Sequence, residues 1–117
     1  MDATVATLKK LMDVAALRHE ALSHNLANVD TAGYRRQDVD FRDALSRAMG
    51  TNDPAAISSV EAEVKEDKSA LVDGKGNSVS MNREMGALNE NSILYSLASQ
   101  SLNRKYGNLR AAIRGYR

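Results

Sequence analysis

Two heptad seams bracket this chain and leave few folds open to it. From the N-terminal side the positions Val5, Leu8, Met12, Ala15, His19, Leu22, Leu26 and Val29 alternate spacings of three and four, and only His19 among them is polar. A 3.5-residue repeat held over this length puts one narrow apolar stripe on a helix and favours left-handed packing against another helix. The second seam runs Met81, Met85, Leu88, Ser92, Tyr95, Ser99, Leu102, Tyr106, Leu109 and Ile113, with Ser92 and Ser99 as its polar members. With one Phe, four Tyr and no Trp, the apolar side chains suit helix seams better than a thick globular core. The expected fold is mainly α: long N- and C-terminal helices pairing as a coiled-coil-like bundle, with a short extended or β-containing, partly flexible central region.

The expected organisation is a single domain over residues 1–117, with a helix over 2–28, a turn and short anchor segment over 29–49, a flexible or β-containing middle over 50–80, and a helix over 81–115. Asn28 suits the end of the first helix, because Asn tolerates the left-handed conformation common just past a C-terminus. Asp30-Thr31-Ala32-Gly33 has the residue preferences of a type I turn, and Tyr34 begins an extended piece. Phe41, Ala44, Leu45 and Ala48 then take up helical spacing, with Phe41, the only Phe, as the anchor onto a long helix. The middle contains the only Pro. Val60, Ala62 and Val64 alternate with charges like a short exposed strand, and Asp73 to Asn77 is a strong turn signal. Ser80 or Asn82 caps the last helix, with Glu84 in its first turn. Gly86 and Gly107 interrupt that helix at about 1 kcal/mol each relative to Ala, which suggests a close backbone approach there.

Neither helix is apolar on its seam alone. Leu11 and Leu17 on the first, and Ile93, Leu94 and Leu97 on the second, lie outside the heptad positions. Apolar faces this wide, on a chain with little else to cover them, argue for burial against other subunits.

The chemistry the chain offers is sparse. A formal net charge of +1 gives no field toward nucleic acid. The basic end, with Arg104, Lys105, Arg110, Arg114 and Arg117, is read as complementing the carbonyl end of a helix dipole. Cysteine is absent, and no run approaches the roughly 20 apolar residues of a membrane span. Charges within MDATVATLKKLMDVAAL break the continuous apolar core that a cleavable secretory signal needs. His19 and His24 lie five residues apart, about 140° around a helix, which is unsuited to a shared metal. Ser23 and His24 have no nucleophile elbow around them, and DGKGN lacks the GK[ST] ending of a phosphate loop. The expectation is no catalytic residue, no metal and no cofactor. At the end of the first helix, Asn25 and Asn28 suit bonds to backbone, Gly33 permits the turn, and Tyr34 anchors the departing chain.

Ser23-His24-Asn25-Leu26-Ala27-Asn28-Val29-Asp30-Thr31-Ala32-Gly33-Tyr34 resembles the SxNxANxxTxGY signature of bacterial flagellar axial proteins, the rod, hook and hook-associated subunits; its fixed positions are Ser23, Asn25, Ala27, Asn28, Thr31, Gly33 and Tyr34. Arg36-Gln37-Asp38-Val39-Asp40-Phe41 resembles the basic, Asp-x-Asp-Phe continuation of the proximal rod proteins. GNSVSMNREM over Gly76–Met85, followed by Leu88, Glu90, Asn91 and Tyr95, is similar to their entry into the last helix, and YGNLRAAIRG over Tyr106–Gly115 to their ending. Ser80 and Asn82 depart from the acidic residues common in that entry. The resemblance implies a non-enzymatic subunit of the basal-body rod that self-assembles through its terminal helices and helps transmit torque from motor to hook. The implied partners are other copies of itself, adjacent rod and basal-body proteins and the flagellar type III export apparatus, with no nucleic acid and no direct membrane span. The implied location is the periplasmic side of the basal body, reached without a cleavable signal peptide. The alternatives are another flagellar rod protein or a non-flagellar coiled-coil adaptor. The residues expected to pack in assembly are Val5, Leu8, Met12, Ala15, Leu22, Leu26, Met85, Leu88, Tyr95, Leu102, Tyr106, Leu109 and Ile113.

Overall fold

The computed structural model of the chain describes residues 2–115, so Tyr116 and Arg117 of the basic end lie outside the described residues. Two long helices dominate: α1 over Ala3–Ala27 and α4 over Met81–Arg114. Between them come strand β1 (Gln37–Asp40), helix α2 (Arg42–Gly50), helix α3 (Pro54–Ser58) and strand β2 (Glu63–Glu66). The long helices pair with each other, as the seams require, and the molecule measures 67 × 25 × 14 Å. Among the described residues, no helix is long and apolar enough to cross a membrane.

Asp2 caps α1 by accepting from the Val5 N–H at 2.7 Å. The helices run antiparallel, since Glu84 meets Asn25, Asn91 meets Ala15 and Lys105 meets Asp2. The α4 side chains in these contacts are seven residues apart or a multiple of it, and Ala98 at the same heptad position is buried. The acid, amide and methyl of this line, Glu84, Asn91 and Ala98, are more deeply buried than the apolar seam read from sequence, and Lys105 ends it in an exposed pair with Asp2. The two buried polar bonds fix the register of the pair.

The second face of α1 is covered by a separate small core. Ala6, Leu45, Ile57 and Val60 are buried together, with Ala3, Leu11, Phe41, Ala44 and Ala48 packed against them. Phe41 thus ties α2 back onto α1. Asp53 caps α3 by accepting from the Ala55 N–H at 3.0 Å, with Pro54 in the first turn, where its missing N–H costs nothing. Asn52, at φ 54°, makes the tight link between α2 and α3. Helix α3 has no counterpart in the sequence expectation, and it explains why Val60 is buried rather than alternating in an exposed strand. The strand starts later: β2 pairs antiparallel with β1, Val64 opposite Val39.

Two local expectations are corrected. The turn after α1 is closed by the Tyr34 N–H on the Thr31 carbonyl at 3.2 Å, one residue later than expected. Gly33, at φ +79°, occupies the third position of that turn, which needs a positive φ. Gly86 and Gly107 make no close backbone approach, because a Cβ on either would meet nothing within 4 Å. Helical glycines with open space around them only weaken the helix. Gly86→Ala is therefore expected to raise unfolding stability by about 1 kcal/mol in urea titration, whereas Ile57→Ala, at 1% exposure, should lower it by about 2–5 kcal/mol.

Candidate functional site

Where α1 ends and α4 begins, the chain crosses itself, and the groups at the crossing are polar and buried. Asn25 has no exposed surface and Arg36 is 1% exposed. Asn25 projects from the last turn of α1 and pairs with the backbone of Gln37 as a neighbouring strand would. Its Oδ1 accepts from the Gln37 N–H at 2.8 Å, and its Nδ2 donates to the Gln37 carbonyl at 2.6 Å. The same oxygen accepts from the Tyr34 hydroxyl at 3.2 Å, and the same nitrogen donates to Glu84 Oε2 at 3.3 Å. One amide therefore joins α1, β1 and the first turn of α4.

Arg36 occupies the centre. Its Nε donates to Glu84 Oε1 at 2.7 Å and its Nη2 to Glu84 Oε2 at 3.3 Å, a fork-to-fork pair with a carboxylate that is itself fully buried. Nη1 pairs with Asp67, and both terminal nitrogens reach Asp38 Oδ2 at 3.4 Å. Arg18 to Asp38 at 2.9 Å and Arg83 to Asp67 at 3.2 Å complete the network. Three guanidinium groups thus face three carboxylates, so the cluster is neutral.

Burial alone would depress the Arg36 pKa, but the bonds and charge of Glu84, with Asp67 and Asp38, outweigh it and hold the guanidinium above its usual range. Burial pushes the Asp38 carboxyl up, and the Arg18 bond, the Val39 N–H and the charges of Arg18 and Arg36 bring it below the ordinary carboxylate value. The Ser69 hydroxyl lowers Asp67, with Arg36 adding to the effect against burial. Burial, helped by the Glu84 charge, pushes the Tyr34 hydroxyl up.

The segment entering α4 closes the joint from the other side. Asn77, 3% exposed, donates through Nδ2 to the carbonyls of Asn28, Val29 and Thr31 at 3.3, 3.0 and 2.7 Å. These carbonyls follow the end of α1, where the helix ladder no longer supplies donors. Asn28 itself donates to the His24 carbonyl at 2.8 Å and accepts from Thr31 at 3.1 Å. Ser78 Oγ accepts from the Arg36 N–H at 2.7 Å, and the Ser78 N–H donates to the Tyr34 carbonyl at 3.0 Å. Gly33 and Gly76 pass back to back: a Cβ on Gly76 would sit 3.6 Å from the Gly33 Cα.

The structure brings Asn25, Asn28, Thr31, Gly33 and Tyr34 of the motif into this joint and leaves Ser23 and Ala27 outside its bonds. Of the packing residues, Val5, Ala15 and Leu22 are buried, while Leu8, Met12, Leu26, Leu88 and Leu102 are half-buried. Met85, Tyr95, Tyr106, Leu109 and Ile113 remain exposed. Sequence reasoning missed Arg36 paired with Glu84 and Asn77 capping α1. The first pair is 48 residues apart, and no local pattern marks it. Among the described residues, no group of three or more acidic or histidine side chains is placed to hold a metal ion.

Similar proteins carry one description. The chain is 32% identical over 84% of its length to a flagellar basal body rod protein FlgB from Cereibacter sphaeroides, covering 84% of that protein. It is 29% identical to the protein so named from Aeromonas hydrophila over 89% of this chain and 87% of that one. For the protein so named from Salmonella typhimurium the identity is 26%, over 98% and 96%. No family model matches the chain.

Removing one member of the joint should show its coupling. Arg36→Met leaves the fully buried Glu84 carboxylate without a counterion and is expected to cost about 3–5 kcal/mol, and Arg36→Met with Glu84→Leu less than that. Asn25→Ala should cost about 2 kcal/mol or more, since it orphans the Gln37 backbone groups. Because Asp38 and Asp67 titrate lower in the folded chain, their stabilisation is full above about pH 4 and is lost as pH falls through their folded values. Chemical denaturation across about pH 2–6 should therefore show an acid-side decline, and a shallower one in Asp67→Asn.

Proposed function

The chain belongs to the family of flagellar basal body rod proteins FlgB, and we propose that this structural rod subunit assembles through the apolar faces of its terminal helices. One observation carries the reading. Large exposed apolar side chains are concentrated on α4, where Met81, Met85, Ile93, Leu94, Tyr95, Leu97, Tyr106, Leu109 and Ile113 are between 37% and 61% exposed. A surface patch of this kind marks an interaction site. On this reading Val5, Leu8, Met12, Ala15, Leu22 and Leu26 carry the internal pairing together with Leu88 and Leu102. Met85, Tyr95, Tyr106, Leu109 and Ile113 are left to meet neighbours.

The joint gives that surface its direction. By fixing the start of α4 against the end of α1, the motif residues hold the exposed apolar side chains of α4 in one orientation relative to α1. The chain acts as a building block rather than an enzyme, and its partners are further copies of itself and adjacent rod proteins. Passage through the flagellar export apparatus without a cleavable leader, to the periplasmic side of the basal body, completes the proposal; the relatives' shared description supports its coarse outline.

In cells whose only copy carries Met85→Asp with Leu109→Asp, electron microscopy of basal bodies should show rods absent or incomplete. The purified variant should keep the circular dichroism of the parent, because both positions are exposed. Normal rods would contradict assembly through this face.

A further inference from the structure

The last part of α4 outruns its partner helix. Lys105 meets Asp2, the residue that caps α1, at 3.2 Å, and α4 continues from there to Arg114, about 13 Å further at 1.5 Å per residue. Every described residue from Asn103 to Gly115 is exposed except Gly107, which is half-buried. This end of the helix therefore stands clear of the rest of the chain, and its own side chains decide what it can meet.

Charge on this segment has one sign. No acidic residue follows Glu90, whereas Arg104, Lys105, Arg110 and Arg114 all lie on α4. Among the described residues, only Lys105 of the four meets an acid. A helix dipole is felt within the last turn, so it accounts for Arg114 but not for Arg104 and Lys105, which lie well before it. At about 100° per residue, the exposed side chains of Tyr106, Leu109 and Ile113 fall within an arc of about 60°. Lys105 lies about 40° to one side of that stripe and Arg110 about 40° to the other, with Arg114 beyond it and Arg104 on the opposite side of the helix. Long cationic side chains beside an apolar stripe let the stripe sink into a surface while their charged ends stay at the polar level.

We propose that the end of α4 binds anionic lipid, lying along the face of a bilayer with Tyr106, Leu109 and Ile113 at the headgroup boundary and Lys105, Arg110 and Arg114 against the lipid phosphates. Charge complementarity selects the occupant. An acidic protein groove would have to place carboxylates on both flanks of the stripe at one spacing, while a phospholipid surface presents phosphates on both flanks wherever the helix lands. The helix rests on the bilayer rather than crossing it, in keeping with its limited apolar length. The contact goes beyond the assembly reading and belongs to the free subunit, whose stripe no neighbour yet covers.

Vesicle co-sedimentation of the purified full-length protein tests the proposal. At about 50 mM salt the protein should sediment with vesicles of equal parts phosphatidylglycerol and phosphatidylcholine, but not with phosphatidylcholine alone, and about 0.5 M salt should release it. Arg110→Gln with Arg114→Gln should weaken binding about twentyfold, at about fivefold per cation. Leu109→Ala with Ile113→Ala should weaken it about tenfold, and Arg104→Gln by no more than about twofold. All these positions are exposed, so the variants should keep the parent's circular dichroism. Failure to sediment with the anionic vesicles, or equal sedimentation with both kinds, would overturn the proposal. So would a loss in Arg104→Gln equal to that in the double arginine variant, or no loss in the double alanine variant, since either would leave adhesion by charge alone. Binding to soluble polyglutamate as tight as to the vesicles would overturn it in favour of an acidic protein partner.

Discussion

A buried guanidinium is tolerated only where its donors are met and its charge is balanced, and Arg36 satisfies both conditions through side chains drawn from across the chain. Glu84 comes from α4, Asp67 from the segment after β2, and Asp38 from β1. Desolvating these charges is costly, and their mutual attraction offsets the cost only when all are present. The cluster therefore acts less as a source of net stability than as a condition on geometry. Either the end of α1, the strand pair and the start of α4 are all in place, or several charges are stranded.

Asn25 and Asn77 extend that condition to neutral groups. Each is an amide that satisfies the backbone of a segment distant in sequence: Asn25 that of Gln37, and Asn77 that of the residues following α1. Further along the helices, Asn91 and Lys105 repeat polar contacts at heptad intervals. The pair is thus held in one register by polar bonds and small side chains. Leu22 is consumed by the internal contact, while large apolar residues such as Met85, Ile93, Leu97 and Leu109 stay at the surface.

Much of this was legible in the residues. The alternating three and four spacings marked both long helices and their pairing, because periodicity is a local signal that tertiary context seldom overrides at such length. The turn at Gly33 and the anchoring by Tyr34 were visible as turn chemistry, though the closing bond lies one residue later. The illegible parts have a common cause. Arg36 and Glu84 read as ordinary surface charges until the fold brings them together, and a charge carries no mark of its partner. Helix α3 is five residues long, too short for a period to show, so Ile57 looked like one apolar residue in a polar stretch. Which residues of α4 are most deeply buried was also hidden, since they are Glu84, Asn91 and Ala98, one line beside the seam, and not the bulkier seam residues.

The claim on which the rest depends is that the joint is the most cooperative part of the fold. Native-state amide hydrogen exchange tests it directly, through the Gln37 N–H bonded to Asn25 and the Arg36 N–H bonded to Ser78. These two amides should exchange only through global unfolding, with the same denaturant dependence as the whole chain. Exchange of either through a small local opening, while the middle of α1 stays protected, would contradict the account.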